Sequence, residues 1–188
     1  MNMLKMQIFA VLLGLMLTSG DAWAKDQFDG LKCGADVPKF LIGKRASNEA
    51  TAGIEARHKE LGLKDLGGSE ISDNLFLSSW RVCGSEYELL VNTKGDLIRD
   101  VIPFPAHSTK SPMFIGRCKA GKREIPATVI AVLDNTKGYD ARNEKSAKNM
   151  LKASAAWRVD RVKEKFVGQP IEGLECPLGG VVTSDGGP

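Results

Sequence analysis

Two histidines and two tyrosines are all this chain has of those side chains, and aromatic residues make up 6% of its 188 positions. So few imidazoles exclude a metal centre built from several histidines. So few aromatics argue against base stacking, so no nucleic-acid partner is expected. The four cysteines never stand as C-x-x-C, which removes the thioredoxin-type redox pair and the zinc knuckle. There is no G-x-S-x-G nucleophile elbow. "DLGGSE" lacks the strand–loop–helix frame that cradles phosphate. "LDNTKGYDARNE" departs from the calcium-loop spacing and carries Lys137 among its oxygens. No cofactor and no metal are expected, and the balance leans away from an enzyme.

What is present begins with a leader. Lys5 precedes an apolar run, Ile8 to Leu17, that is too short to span a bilayer, and Ala22-Trp23-Ala24 is a small-x-small cleavage pattern. Residues 1–24 therefore read as a secretory signal peptide. No later run is long enough to cross a membrane, so no span is expected after cleavage. Residues 25–180 read as one disulfide-stabilised domain, with 181–188 a glycine-rich flexible end. The expected location is the periplasm or the exterior.

All four cysteines, Cys33, Cys83, Cys118 and Cys176, follow the leader. An even count in an exported chain predicts two disulfides. The pairing expected here is Cys83–Cys118 with Cys33–Cys176, joining two hairpins and tying the start of the domain to its end.

The fold class reads as α+β, mainly antiparallel sheet, with one or two helices packed on it. The stretch "SSWRVCGSEYELLVN" lies in a hairpin over 76–91. A turn at Gly84-Ser85 pairs Val82 with Tyr87 and Trp80 with Leu89 on one face. It sets Arg81 against Glu88 on the other, as an exposed ion pair. "LIRDVI" is a third strand, and a second hairpin covers 113–133 and turns at Ala120-Gly121. Its arm Ala127 to Leu133 is nearly all apolar, which predicts a central strand. "ADVPKFLIG" is a short helix capped by Asp36. "NEKSAKNMLKASAAW" reads as the clearest helix, capped by Asn143, with Ala147, Met150, Leu151 and Ser154 as its inner stripe.

The candidate functional residues follow from these assignments. Nine basic and four acidic residues lie between Lys137 and Lys165. On the expected helix Lys145, Lys148 and Lys152 form a polar face for an anionic envelope component or a protein. His107 stands in "PFPAHSTKSP" beside Ser108, Thr109 and Ser111, making it the one catalytic candidate. His58 reads as a surface residue in a charged segment. The leading reading is an exported, non-catalytic binding or inhibitory module of a bacterial-type envelope. The alternatives are a small secreted hydrolase using His107 and a structural envelope protein held by its basic helix face.

Overall fold

Sheet edges and turns explain where each element stops. The computed structural model describes residues 25–182; the leader 1–24 and the last six residues lie outside them. The fold is α+β and mostly antiparallel. After two short helices, α1 (Val37–Leu41) and α2 (Thr51–Arg57), comes a four-stranded meander. Its strands are β1 (Lys64–Ser72), β2 (Leu75–Val82), β3 (Ser85–Asn92) and β4 (Leu97–Phe104). A second sheet is built from β5 (Met113–Gly116), β8 (Val129–Leu133) and β9 (Met150–Asp160). Its shorter members are β6 (Lys119–Ala120), β7 (Arg123–Glu124), β10 (Lys165–Gly168), β11 (Leu174–Pro177) and β12 (Val181–Val182).

α1 forms as its sequence dictates. Asp36 accepts from the Lys39 amide at 3.1 Å, proline sits in the first turn, and Gly43 leaves with φ 85°. The segment after α1 pairs with the edge of β4: Gly43 N–H donates to Ile98 O, and Ile98 N–H to Lys44 O. One edge of the meander is thereby covered.

The first hairpin turns one residue earlier than its sequence suggests. Cys83 and Gly84 are the two turn residues, with φ 52° and 81°, the positive pair that a type I′ turn requires. Trp80 therefore faces Tyr87, and Arg81 faces Glu86 rather than Glu88. The faces themselves are as expected, because the slip changes each pairing by two residues. Cys83 tolerates its left-handed backbone because it is held twice. Its N–H donates to Leu61 O at 2.7 Å, and its sulfur is bonded to Cys33.

The disulfides are Cys33–Cys83 and Cys118–Cys176, so the expected pairing is corrected. The reason lies in the layering. The Trp80 face of the meander is covered by the N-terminal segment, where Phe28, Leu31, Val37, Leu41, Ile54 and Leu61 are buried against Trp80, Leu89 and Val101. Cys83 thus meets Cys33 within that layer. Cys176 on β11 and Cys118 just before β6 pack on the other face of the second sheet, with Phe114, Leu151 and Leu174.

Between the two sheets lies the third cluster: Ile71, Leu77, Leu90 and Phe104 from the meander against Met113, Ile130, Val132 and Val159. β8 is buried at all five positions, the central strand its composition predicts.

The helix expected over 143–157 is corrected. Asn143 does cap a helix, accepting from the Lys145 and Ser146 amides, but α3 is only Glu144–Ala147. From Met150 the chain is strand, with Leu151 and Ala153 buried and Lys152 and Ser154 exposed. Pairing with β8 on one edge and with β10 and β11 on the other overrides the helical preference of the alanines. The alanines let a central strand sit close under its neighbours. A bulge at Ser154 is closed by its hydroxyl, which donates to Val132 O at 3.1 Å.

Candidate functional site

Polar side chains gather at two buried places, and the lysines expected to bind are exposed. The first buried place is the hairpin end of the inter-sheet layer. Alternation puts Ser79, Arg81, Glu86 and Glu88 on one face of the meander. The sequence reads that face as open to solvent, yet the second sheet and the loop after β4 cover it. Ser79, Glu86 and Glu88 are all buried. Arg81 donates to Glu86 Oε1 at 2.7 Å and is the partner that reaches the surface. The expected exposed Arg81–Glu88 pair is corrected on both counts.

His107 returns over this cluster. Its Nδ1 lies 2.6 Å from Glu86 Oε2, and its side chain is 3% exposed. The approach is a close contact out of hydrogen-bond alignment. The loop serines face elsewhere: Ser108 and Ser111 bond to each other at 3.0 Å. Among the described residues one shallow depression lies at the β1–β2 turn beside Arg161 and Glu164, and another between α2 and Gly62–Leu63. His107 lines neither of them. It has the carboxylate a general base needs, and lacks the aligned serine and the access.

Glu88 accepts from the Ser79 hydroxyl at 2.7 Å. Burial, with the like charge of Glu86 adding to it, pushes its carboxyl up to about 8. It is therefore mostly protonated in the fold at neutral pH. In the unfolded chain the same group ionises near 4.5. Stability is then full below about 4.5 and falls as pH rises toward about 8, by roughly 1.4 kcal/mol per unit. Glu88→Gln, which copies the protonated form, should remove that slope. It should stabilise the protein at pH 7 by on the order of 3 kcal/mol. Denaturant unfolding of both proteins at pH 5, 7 and 9 checks this; parallel pH profiles would refute it.

The second buried place was missed by the sequence reading, which put His58 at the surface. His58 is 6% exposed, and the correction follows from tertiary packing. The turn at 26–29 folds beneath α2, and Phe28 inserts edge-on to Trp80 at 5.0 Å. Asp26 is fully buried beside His58. Its Oδ2 lies 2.9 Å from His58 Nε2 and accepts from Arg57 at 2.6 Å, and its Oδ1 accepts from the Phe28 amide at 2.7 Å. Burial opposes its ionisation, but the hydrogen bonds from Arg57, Phe28 and His58 outweigh this and hold its carboxyl below the usual range. Arg57 also grips Glu49 with two nitrogens, both at 2.6 Å. Asp29 completes the group, facing Nε2 at 3.6 Å. Asp26, Asp29 and His58 together have the donor set to hold a metal ion. The signal was present in "DQFDG", whose paired aspartates close an Asx-type turn, but nothing local points it at His58.

The three lysines are exposed, though not on one helix. Lys145 lies in α3, Lys148 caps it, and Lys152 is on β9 opposite Glu175. None of them forms an ion pair with a described residue. Asn135 ties together the turns that carry two further lysines. Its side chain donates to Thr109 O and Tyr139 O, both at 2.9 Å, and its N–H donates to Lys110 O. Exposed Lys110 and Lys137 lie in these turns, and Lys137 is near enough to Asp134 to act on its charge. The Asp134 carboxyl is held low by the Thr136 hydrogen bonds, with the charges of Lys152 and Lys137 contributing.

No family model, curated protein or solved structure matches the chain. Two disulfides suit an oxidising compartment, and no helix among the described residues is long and apolar enough to cross a membrane.

Proposed function

We propose that this is an exported module of a bacterial-type envelope that works by binding and not by turnover, with residues 1–24 as its cleaved leader. The observation that carries the reading is where the reactive groups are. Both histidine side chains, 8% and 3% exposed, are held against internal carboxylates, and all four cysteines are bridged. Exposed Lys145, Lys148 and Lys152 form no ion pair with a described residue, and exposed Lys110 and Lys137 add to them. An array of ammonium groups recognises an array of anionic groups, so the partner is an anionic envelope component or a protein presenting equivalent acidity. Asp134, Glu144 and Glu175 interrupt the array, which favours spaced anionic groups over one concentrated charge.

The test is capture by vesicles of anionic phospholipid, with neutral vesicles as the control. Each lysine near such a surface contributes about 1 kcal/mol, so changing Lys145, Lys148 and Lys152 together to Glu should weaken capture by on the order of a hundredfold. Capture by the parent should also fall as salt rises, because screening sets in at about 10 Å in 0.1 M salt. Unchanged capture in the triple variant would remove the basic face as the working surface. Loss of a measured hydrolytic turnover in a folded His107→Gln variant would replace the binding reading with the hydrolase.

A further inference from the structure

We propose that Asp26, Asp29 and His58 form a binding site for a divalent transition-metal ion of the zinc class. The carrying observation is a convergence that one proton does not satisfy. Three carboxylate oxygens face the single nitrogen Nε2 of His58: Asp26 Oδ2 at 2.9 Å, Asp26 Oδ1 at 3.1 Å and Asp29 Oδ1 at 3.6 Å. An imidazole nitrogen carries one hydrogen, which serves one of them well. A cation between them serves all. Zinc bonds to nitrogen and oxygen of about 2.0–2.2 Å in a tetrahedron place neighbouring ligand atoms roughly 3.3 Å apart. The distances around Nε2 bracket that separation, and the three ligand groups offer atoms all within 4.8 Å of one another.

The surrounding groups orient the set as second-shell partners do. The Asp26 amide donates to Asp29 Oδ2 at 2.9 Å, which leaves Asp29 Oδ1 toward His58. The Phe28 amide and Arg57 each take one lone pair from Asp26 and fix the plane of its carboxylate. On the other side of the ring, Glu60 lies 3.7 Å from Nδ1. A carboxylate there can hold the Nδ1 hydrogen when a metal ion takes the place of the proton on Nε2. Charge points the same way. The carboxylates of Asp26, Asp29, Glu49 and Glu60 outnumber the cations Arg57 and Lys44 by two around the imidazole. Lys44 is turned aside, its Nζ donating to the carbonyls of Gln27 and Asp29 and resting over the Phe40 ring. Access is through Asp29, whose side chain is 35% exposed while that of Asp26 is fully buried. Two carboxylates and one imidazole leave a fourth position for water. The site lies on the N-terminal layer, and its fate is independent of the basic face.

The test uses the full exported chain after chelator treatment. Equilibrium dialysis against Zn2+ with elemental analysis should find one ion per chain. Co2+ in its place should give the visible absorption of a low-coordinate site. Saturating zinc should raise the melting midpoint by about 5 °C or more at a hundredfold excess over Kd. Asp29→Asn keeps an oxygen for the Asp26 amide, so its metal-free fold should match the parent by circular dichroism while zinc binding weakens about a hundredfold. Glu60→Gln, acting only through the ring, should weaken binding by about tenfold. Undiminished one-to-one zinc binding in Asp29→Asn would overturn the proposal. So would an absence of zinc binding by the parent, or a nitrogen spectrum showing His58 Nε2 still protonated with zinc present. Either of those last two results would leave His58 as a plain ion-pair partner of Asp26.

Discussion

Trp80→Ala should destabilise the protein by about 3–5 kcal/mol, because removing a buried indole forfeits its transfer free energy and leaves a cavity. The side chain is 5% exposed and stands at the meeting of β2 with the N-terminal layer. Phe28 meets it edge-on, and its Nε1 donates to Ser78 Oγ at 2.8 Å. The Cys33–Cys83 bridge stops the layer from separating, but it does not let the layer collapse into the gap, since α1 is also anchored to β4. Chemical denaturation with the disulfides intact measures the effect. A cost below about 1 kcal/mol would mean that the Trp80 face is not the one packed under the N-terminal segment. The same variant should loosen the turn at 26–29, so its metal affinity should fall as well.

His107→Ala should cost a comparable amount, about 3–5 kcal/mol, because it leaves Glu86 buried with its charge incompletely matched. Arg81→Ala should cost less, about 1–2 kcal/mol, since its guanidinium is 40% exposed and is replaced by water. The ordering of the two is the test: they contact the same carboxylate from inside and outside the fold. Replacing Glu86 and His107 together with Leu and Phe should recover most of the loss, because a buried polar pair contributes little beyond an apolar pair of similar volume. Unfolding of the single and double variants decides this. If the double replacement were as unstable as His107→Ala, the pair would have a role that packing does not supply.

These two sites are hidden in different ways. The alternation of Ser79, Arg81, Glu86 and Glu88 is plain in the sequence, and it assigns the four residues to one face correctly. It carries no information about what covers that face. Polar residues on a strand face ordinarily mean solvent, and here they mean a polar pocket beneath a second sheet. For His58 even the face was not legible, because its partners are contributed by a turn about thirty residues earlier.

By itself the sequence determined the local devices: the caps at Asp36 and Asn143, the hairpin faces, the buried run of β8, and the oxidised state of its cysteines. Each depends on neighbours a few residues away or on a period of two, which a linear chain displays. Tertiary structure alone decided which cysteines meet, that 150–157 is strand rather than helix, and that Glu86, Glu88, His107 and His58 are buried. Those outcomes depend on which layer lies over which. The layer order is settled by long-range burial of apolar surface, whose non-directional energy exceeds the few tenths of a kcal/mol by which alanine prefers a helix.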